Sequence, residues 1–170
     1  MLLVSTQRCI NTGIMLILSS DVHGCTNRPG GRLRKPSRSI DMTCTHALRQ
    51  GIDLGDAHVI RNAGGSAKDA LRSLIISQQL LGTQEIVLIK HTGCGMLTFG
   101  NEEAQALVET NLGKEAGEQV KGLDFLAFPD LEEEVRRDVK WLAEQKTIPR
   151  QVTVSGWVYE VETGRVRRVE

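Results

Sequence analysis

Apolar residues fall along this chain in three rhythms, and each rhythm predicts a different element. Within "EIVLIKH", residues 85–91, Ile86, Val87, Leu88 and Ile89 follow one another without a break. Such a run suits a strand covered on both faces, as in a parallel sheet. Just upstream, "SAKDALRSLIISQQLLG" spaces Ala67, Ala70, Leu71, Leu74, Ile75 and Leu81 along one helical face. Ser66 is placed to cap that helix and Gly82 to stop it. Before it, "AHVIRNAGG", residues 57–65, reads as a short strand closed by a turn. Strand, helix and strand within about 30 residues make a βαβ unit, whose two strands are expected to be parallel neighbours.

The third rhythm is alternation. "QVTVSGWVYEVETGRVRRVE" alternates apolar and polar positions around a Thr-Gly turn and predicts a strand or hairpin. A further helix is expected near "PDLEEEVRRDVKWLAEQ", with Pro129 in its first turn, acids at 130 and 132–134 at its positive end, and a stripe of Leu131, Val135, Val139 and Leu142. The acid run Glu132–Glu134 reads as a solvated helix start. Trp141 near the stripe and Trp157 in the last strand read as core or subunit-contact residues. In contrast, "CTNRPGGRLRKPSRS", residues 25–39, with its prolines, paired glycines and five bases, has the chemistry of a linker. The expectation is an α/β fold: one domain, with a mainly parallel central sheet flanked by helices, over residues 39–170. Residues 1–38 read as an atypical, basic, flexible leader.

Composition refines this picture in one respect. The 170 residues carry 21 basic and 21 acidic side chains, so net charge gives no argument for nucleic acid. Residues 1–39, however, hold six bases against the single acid Asp21. The start is apolar and acid-poor, but its run from Ile14 to Leu18 is shorter than the roughly 7–15 residues of a secretory core. No apolar stretch approaches the ~18–20 residues of a membrane span. The expected compartment is the cytoplasm, with an organellar leader as the alternative. Cys9, Cys25, Cys44 and Cys94 lack the spacing of a small disulfide scaffold and read as reduced thiols. His23 and Cys25 form an incidental pair within the basic segment.

Candidate chemistry gathers where the strands end. In an open parallel sheet, ligands bind beyond the carboxyl ends of the strands. Two loops are expected there: Asn62-Ala63-Gly64-Gly65, and His91-Thr92-Gly93-Cys94-Gly95. An imidazole and a thiolate at this spacing can reach one zinc ion, with glycines letting the backbone curl around it. The alternative is a buried cysteine packed beside a capping histidine. Asn62 and Gly64 are placed to offer amide or backbone donors to a bound anion. His58, inside its strand, reads as a hydrogen-bonded core histidine.

"GDAHVIRNAGG", "DALRSLIISQQLLGTQEIVLI" and "HTGCGMLTF", within a match running from about Gly51 to Phe99, resemble the β-class carbonic anhydrases, and "SGWVYEVETGRV" is compatible with that family's closing strand. The resemblance implies a zinc lyase, a carbonate dehydratase, that interconverts carbon dioxide and bicarbonate through zinc-bound hydroxide and assembles as a homodimer or larger. His91 and Cys94 match two of the family's three protein ligands. The third belongs to a Cys-x-Asp-x-Arg pattern, whose Arg restrains the Asp so that it orients the hydroxide.

This chain departs from that pattern. The family's spacing lands on Ser39-Ile40-Asp41-Met42-Thr43, keeping Asp41 but replacing the ligand Cys by Ser39 and the Arg by Thr43. A neutral hydroxyl is a poor substitute for a thiolate on zinc. Two candidates for the third ligand follow. Asp41, unrestrained, would coordinate the metal itself and close the site. Otherwise a shifted register brings in Cys44, with His46 near the place of the Asp. A third account is that residues 1–48 are not the family's amino-terminal part at all. Three functions compete: a working carbonic anhydrase, a zinc-binding relative with impaired catalysis and a structural or regulatory role, and a metal-free anion-binding domain.

Overall fold

The computed structural model describes residues 57–170 in full, together with the backbone of one strand at 13–19. The described strands are β1 (Gly13–Ser19), β2 (Ala57–Asn62), β3 (Thr83–His91), β4 (Thr153–Glu160) and β5 (Arg165–Arg168). They form one sheet in the order β2-β1-β3-β4-β5. Between them lie helices α1 (Ala67–Leu81), α2 (Asn101–Leu112), α3 (Lys114–Val120) and α4 (Leu131–Glu144).

The βαβ unit is present, but its strands are not neighbours. β1 lies between them, pairing antiparallel with β2 on one side and β3 on the other. β2, β3 and β4 therefore share one direction, while β1 and β5 oppose it; β3 and β4 pair directly in parallel. The sheet is mixed within an α/β fold. The expectation of adjacent strands failed because β1 comes from Ile14–Leu18, a five-residue apolar run inside the stretch assigned above to a leader. Nothing in residues 57–91 signals that another strand will enter.

Local chemistry explains the element ends. Ser66 caps α1, its hydroxyl accepting from the Asp69 amide, and Gly82 ends the helix in the left-handed conformation that favours glycine. Leu81, expected on the buried face, is exposed along with Leu80. The face closes instead with Ser77 and Gln78. At α4 the cap is Asp130, accepting from the Glu133 amide, so Pro129 precedes the helix rather than opening its first turn. The β4–β5 hairpin forms as expected, turning at Gly164.

The core lies between the sheet and the α1–α4 pair. Ala67, Ala70 and Leu74 of α1 and Val135, Val139 and Leu142 of α4 close over Ile86 and Leu88 of β3. Glycine 156 of β4 sets how near α4 can come. A methyl carbon added there would stand 2.5 Å from Val135 Cγ1 and 2.9 Å from Val139 Cγ2. A second, smaller cluster gathers Cys94, Met96 and Phe128 where β3 ends. His58 does bond Ser77, 2.6 Å from Nδ1 to Oγ, but its strand is the edge among the described strands and the residue is exposed rather than core.

Candidate metal centre

β3 delivers His91 to the rim, and a short reversal returns the chain to it. The Thr92 amide donates to Tyr159 O at 3.0 Å, which fixes the end of β3 against β4. Gly93 then adopts a positive φ of 66°, which a residue with a side chain rarely takes. A 3-10 turn over Gly95–Leu97 follows, held by Leu97 N to Cys94 O at 3.1 Å. This path folds the Cys94 side chain back into hydrogen-bond contact with the His91 ring. Both residues are buried.

The ring's orientation is fixed by its near nitrogen. Nδ1 lies 2.8 Å from Thr92 O. A carbonyl can only accept, so Nδ1 carries the hydrogen, and in the neutral ring Nε2 keeps the lone pair. A metal-binding histidine commonly has this backing on its non-ligating nitrogen. Burial pushes the Cys94 thiol up. With His91 in its imidazolium form, hydrogen bonds from its ring and from the Met96 backbone outweigh that, helped by the charges of His91 and Lys90, and leave the thiol below its ordinary range. Thiolate is the form that binds metal.

The two loops meet as expected. Ala63–Gly65 forms a 3-10 turn after β2, and Gly64, with φ 65°, packs against Met96 and Phe128. The Asn62 amide donates to Ser66 O at 2.8 Å, closing the turn. Gly64 O faces inward and accepts from Lys90.

Lys90 and Asp138 are residues that sequence reasoning passed over. Lys90 Nζ lies 2.8 Å from Asp138 Oδ2, 2.9 Å from Gly64 O and 3.2 Å from Gly65 O, so its three hydrogens have three acceptors. The Phe128 ring sits 5.0 Å away. Asp138 also accepts from the Ala67 amide at the start of α1. Both side chains are almost wholly buried, at 2% and 5% exposure. A signal existed in each case: a lysine inside an apolar strand, and an aspartate three residues after Val135 on the apolar stripe of α4.

Asp41, Cys44, Ser39, Thr43 and His46 lie outside the described residues. Among the described residues, no group of three His, Cys, Asp or Glu converges in a way that could hold a metal. His91 and Cys94 do converge. An imidazole whose Nδ1 is committed to Thr92 O, beside a buried thiol, fits zinc as far as two donors can.

A family model described as carbonic anhydrase matches residues 40–166. β-Carbonic anhydrase 1 of Mycobacterium tuberculosis is 38% identical over 120 residues, covering 70% of this chain and 71% of that protein. A carbon disulfide hydrolase of Acidithiobacillus thiooxidans is 36% identical over 129 residues, covering 68% and 65%. Among solved structures, the carbonic anhydrase from Glaciozyma antarctica superimposes with a TM-score of 0.70 at 45% identity, covering 75% of this chain and 74% of that one. The chain belongs to the β-carbonic anhydrase family.

Proposed function

We propose that this protein binds one zinc ion through His91 and Cys94 and interconverts carbon dioxide and bicarbonate. The observation that carries this reading is the meeting of the two side chains at the end of β3, with His91 Nδ1 committed to Thr92 O. Zinc, when bound, would bring a water's pKa to about 7, the value established for carbonic anhydrase on an unrelated fold. The third protein ligand is assigned to Cys44 or Asp41.

The chain's own residues do the rest. Asn62 and Gly64 are assigned to bicarbonate. Ser66 O occupies one hydrogen of the Asn62 amide, and the other is the donor assigned to a substrate oxygen. Asp41, if it is not a ligand, accepts a hydrogen from the attacking group and orients it. The assembly proposed is a homodimer or larger. No described helix is long and apolar enough to cross a membrane, and the cytoplasm is the compartment proposed.

Ser39 and Thr43 favour a second reading, in which the zinc is held but turnover is impaired because Asp41 blocks the open position. The relative named as a carbon disulfide hydrolase makes carbon disulfide the second substrate to assay. Zinc content and stopped-flow hydration, measured on wild type and Cys44→Ala, decide among these readings. One equivalent of zinc with hydration that collapses in Cys44→Ala is the expected result for a Cys44 ligand. Zinc without turnover of either substrate identifies the impaired form. No zinc, with rates equal to buffer, overturns the proposal and leaves the anion-binding alternative.

A further inference from the structure

The Lys90–Asp138 pair touches four parts of the structure at once. Lys90 adjoins His91 on β3, Asp138 belongs to α4, Ala67 opens α1, and Gly64 and Gly65 form the turn after β2. Both charged side chains are almost wholly shielded from solvent. A buried ion pair is a weak way to add stability, because desolvation offsets much of the attraction. What such a pair does well is fix geometry. Here it fixes the peptide planes of the turn. Two carbonyls are drawn toward the ammonium, and in a trans peptide the next N–H must point the opposite way. Lys90 therefore sets both where β3 presents His91 and which way the Gly65 and Ser66 amides face.

We propose that Lys90 and Asp138 are positioning residues for the metal centre, holding the Gly64–Gly65 turn and the end of β3 in one arrangement so that His91 and Cys94 stay aimed at a common point. This inference rests on the zinc reading of the two donors, but its structural half is independent of metal. Neither residue touches the metal or the substrate in this account. They act through the backbone that carries the groups that do.

Two variants test it. Asp138→Asn removes the charge yet keeps an oxygen for the Ala67 amide; Lys90→Met combined with Asp138→Asn removes both charges and releases the two carbonyls. Zinc affinity is read by competition with a chromophoric chelator, the cobalt-substituted protein by its visible spectrum, and the metal-free protein by hydrogen exchange. The expected result is zinc bound about tenfold more weakly in Asp138→Asn and up to about a hundredfold in the double variant, the range for loss of outer-shell support. The cobalt bands should shift, and exchange should quicken in peptides covering 62–67 and 91–98 while the α4–β4 core stays protected. A folded Asp138→Asn protein with wild-type zinc affinity, spectrum and exchange overturns the proposal, and this variant decides if the double one does not fold. Should the wild type bind no zinc, the zinc reading falls, and the exchange comparison in the metal-free protein still decides whether the pair holds the turn.

Discussion

Gly64 and Met96 meet so closely that no side chain fits between them: a methyl carbon at Gly64 would stand 2.8 Å from Met96 Cγ. The contact joins the turn after β2 to the loop carrying Cys94, and φ 65° at Gly64 adds a conformational demand of its own. Gly64→Ala should therefore lower stability by about 1–3 kcal/mol, combining overpacking with left-handed strain. Urea unfolding measures it. Adding Met96→Ala should recover part of the loss in a double-mutant cycle, because the two residues share one contact.

Gly156 makes the same argument on the other side of the core. Val135 and Val139 rest directly on its bare backbone. Gly156→Ala should cost about 1–3 kcal/mol by forcing α4 away from the sheet. Since Asp138 rides on α4, near-ultraviolet circular dichroism from Trp141 should change with it.

Metal binding should depend on both donors of β3 and its loop. His91→Ala and Cys94→Ser should each reduce bound zinc from one equivalent to a small fraction of it, by elemental analysis after dialysis. Asp41→Ala separates the remaining ligand readings: activity rises if Asp41 blocks the open position, and an unchanged or lower rate counts against that block.

Acid should loosen the hairpin. Glu132 is held below the ordinary 4.5 first by its hydrogen bond from Arg167 and by that charge, then by Arg136. A depressed carboxylate contributes stability above its unfolded pKa and loses it as pH falls through the folded value. Unfolding temperature should thus drop on acidification below about pH 4.5, and Glu132→Gln should flatten that limb. Glu134, raised by burial and then by Asp138, has the opposite sign: its charging as pH rises weakens the fold. Glu134→Gln should remove that smaller, opposing slope.

What could be read from the chain was what neighbouring residues decide among themselves. Ser66 and Gly82 bracket α1 because cap chemistry spans only a few positions, and the Thr163-Gly164 turn declares its hairpin for the same reason. His91 and Cys94 were visible because only two residues separate them. The entry of β1 between β2 and β3 was not visible, since strand order is settled by contacts between distant segments. Lys90 and Asp138 escaped for a related cause: each looks like a misplaced charge until the other is beside it. Leu81 misled because periodicity marks a face but not how far the neighbouring sheet extends along it.

At the end of β3 two consecutive side chains leave on opposite faces. One is an ammonium enclosed by carbonyls, and the other an imidazole aimed at the rim. A slip of one residue in the pairing of Leu88 with Gly156 and Ile89 with Trp157 would exchange them. The ladder between β3 and β4 thus acts as a proofreading ruler, because the misaligned chain would bring a cation to the rim and strand the imidazole inside.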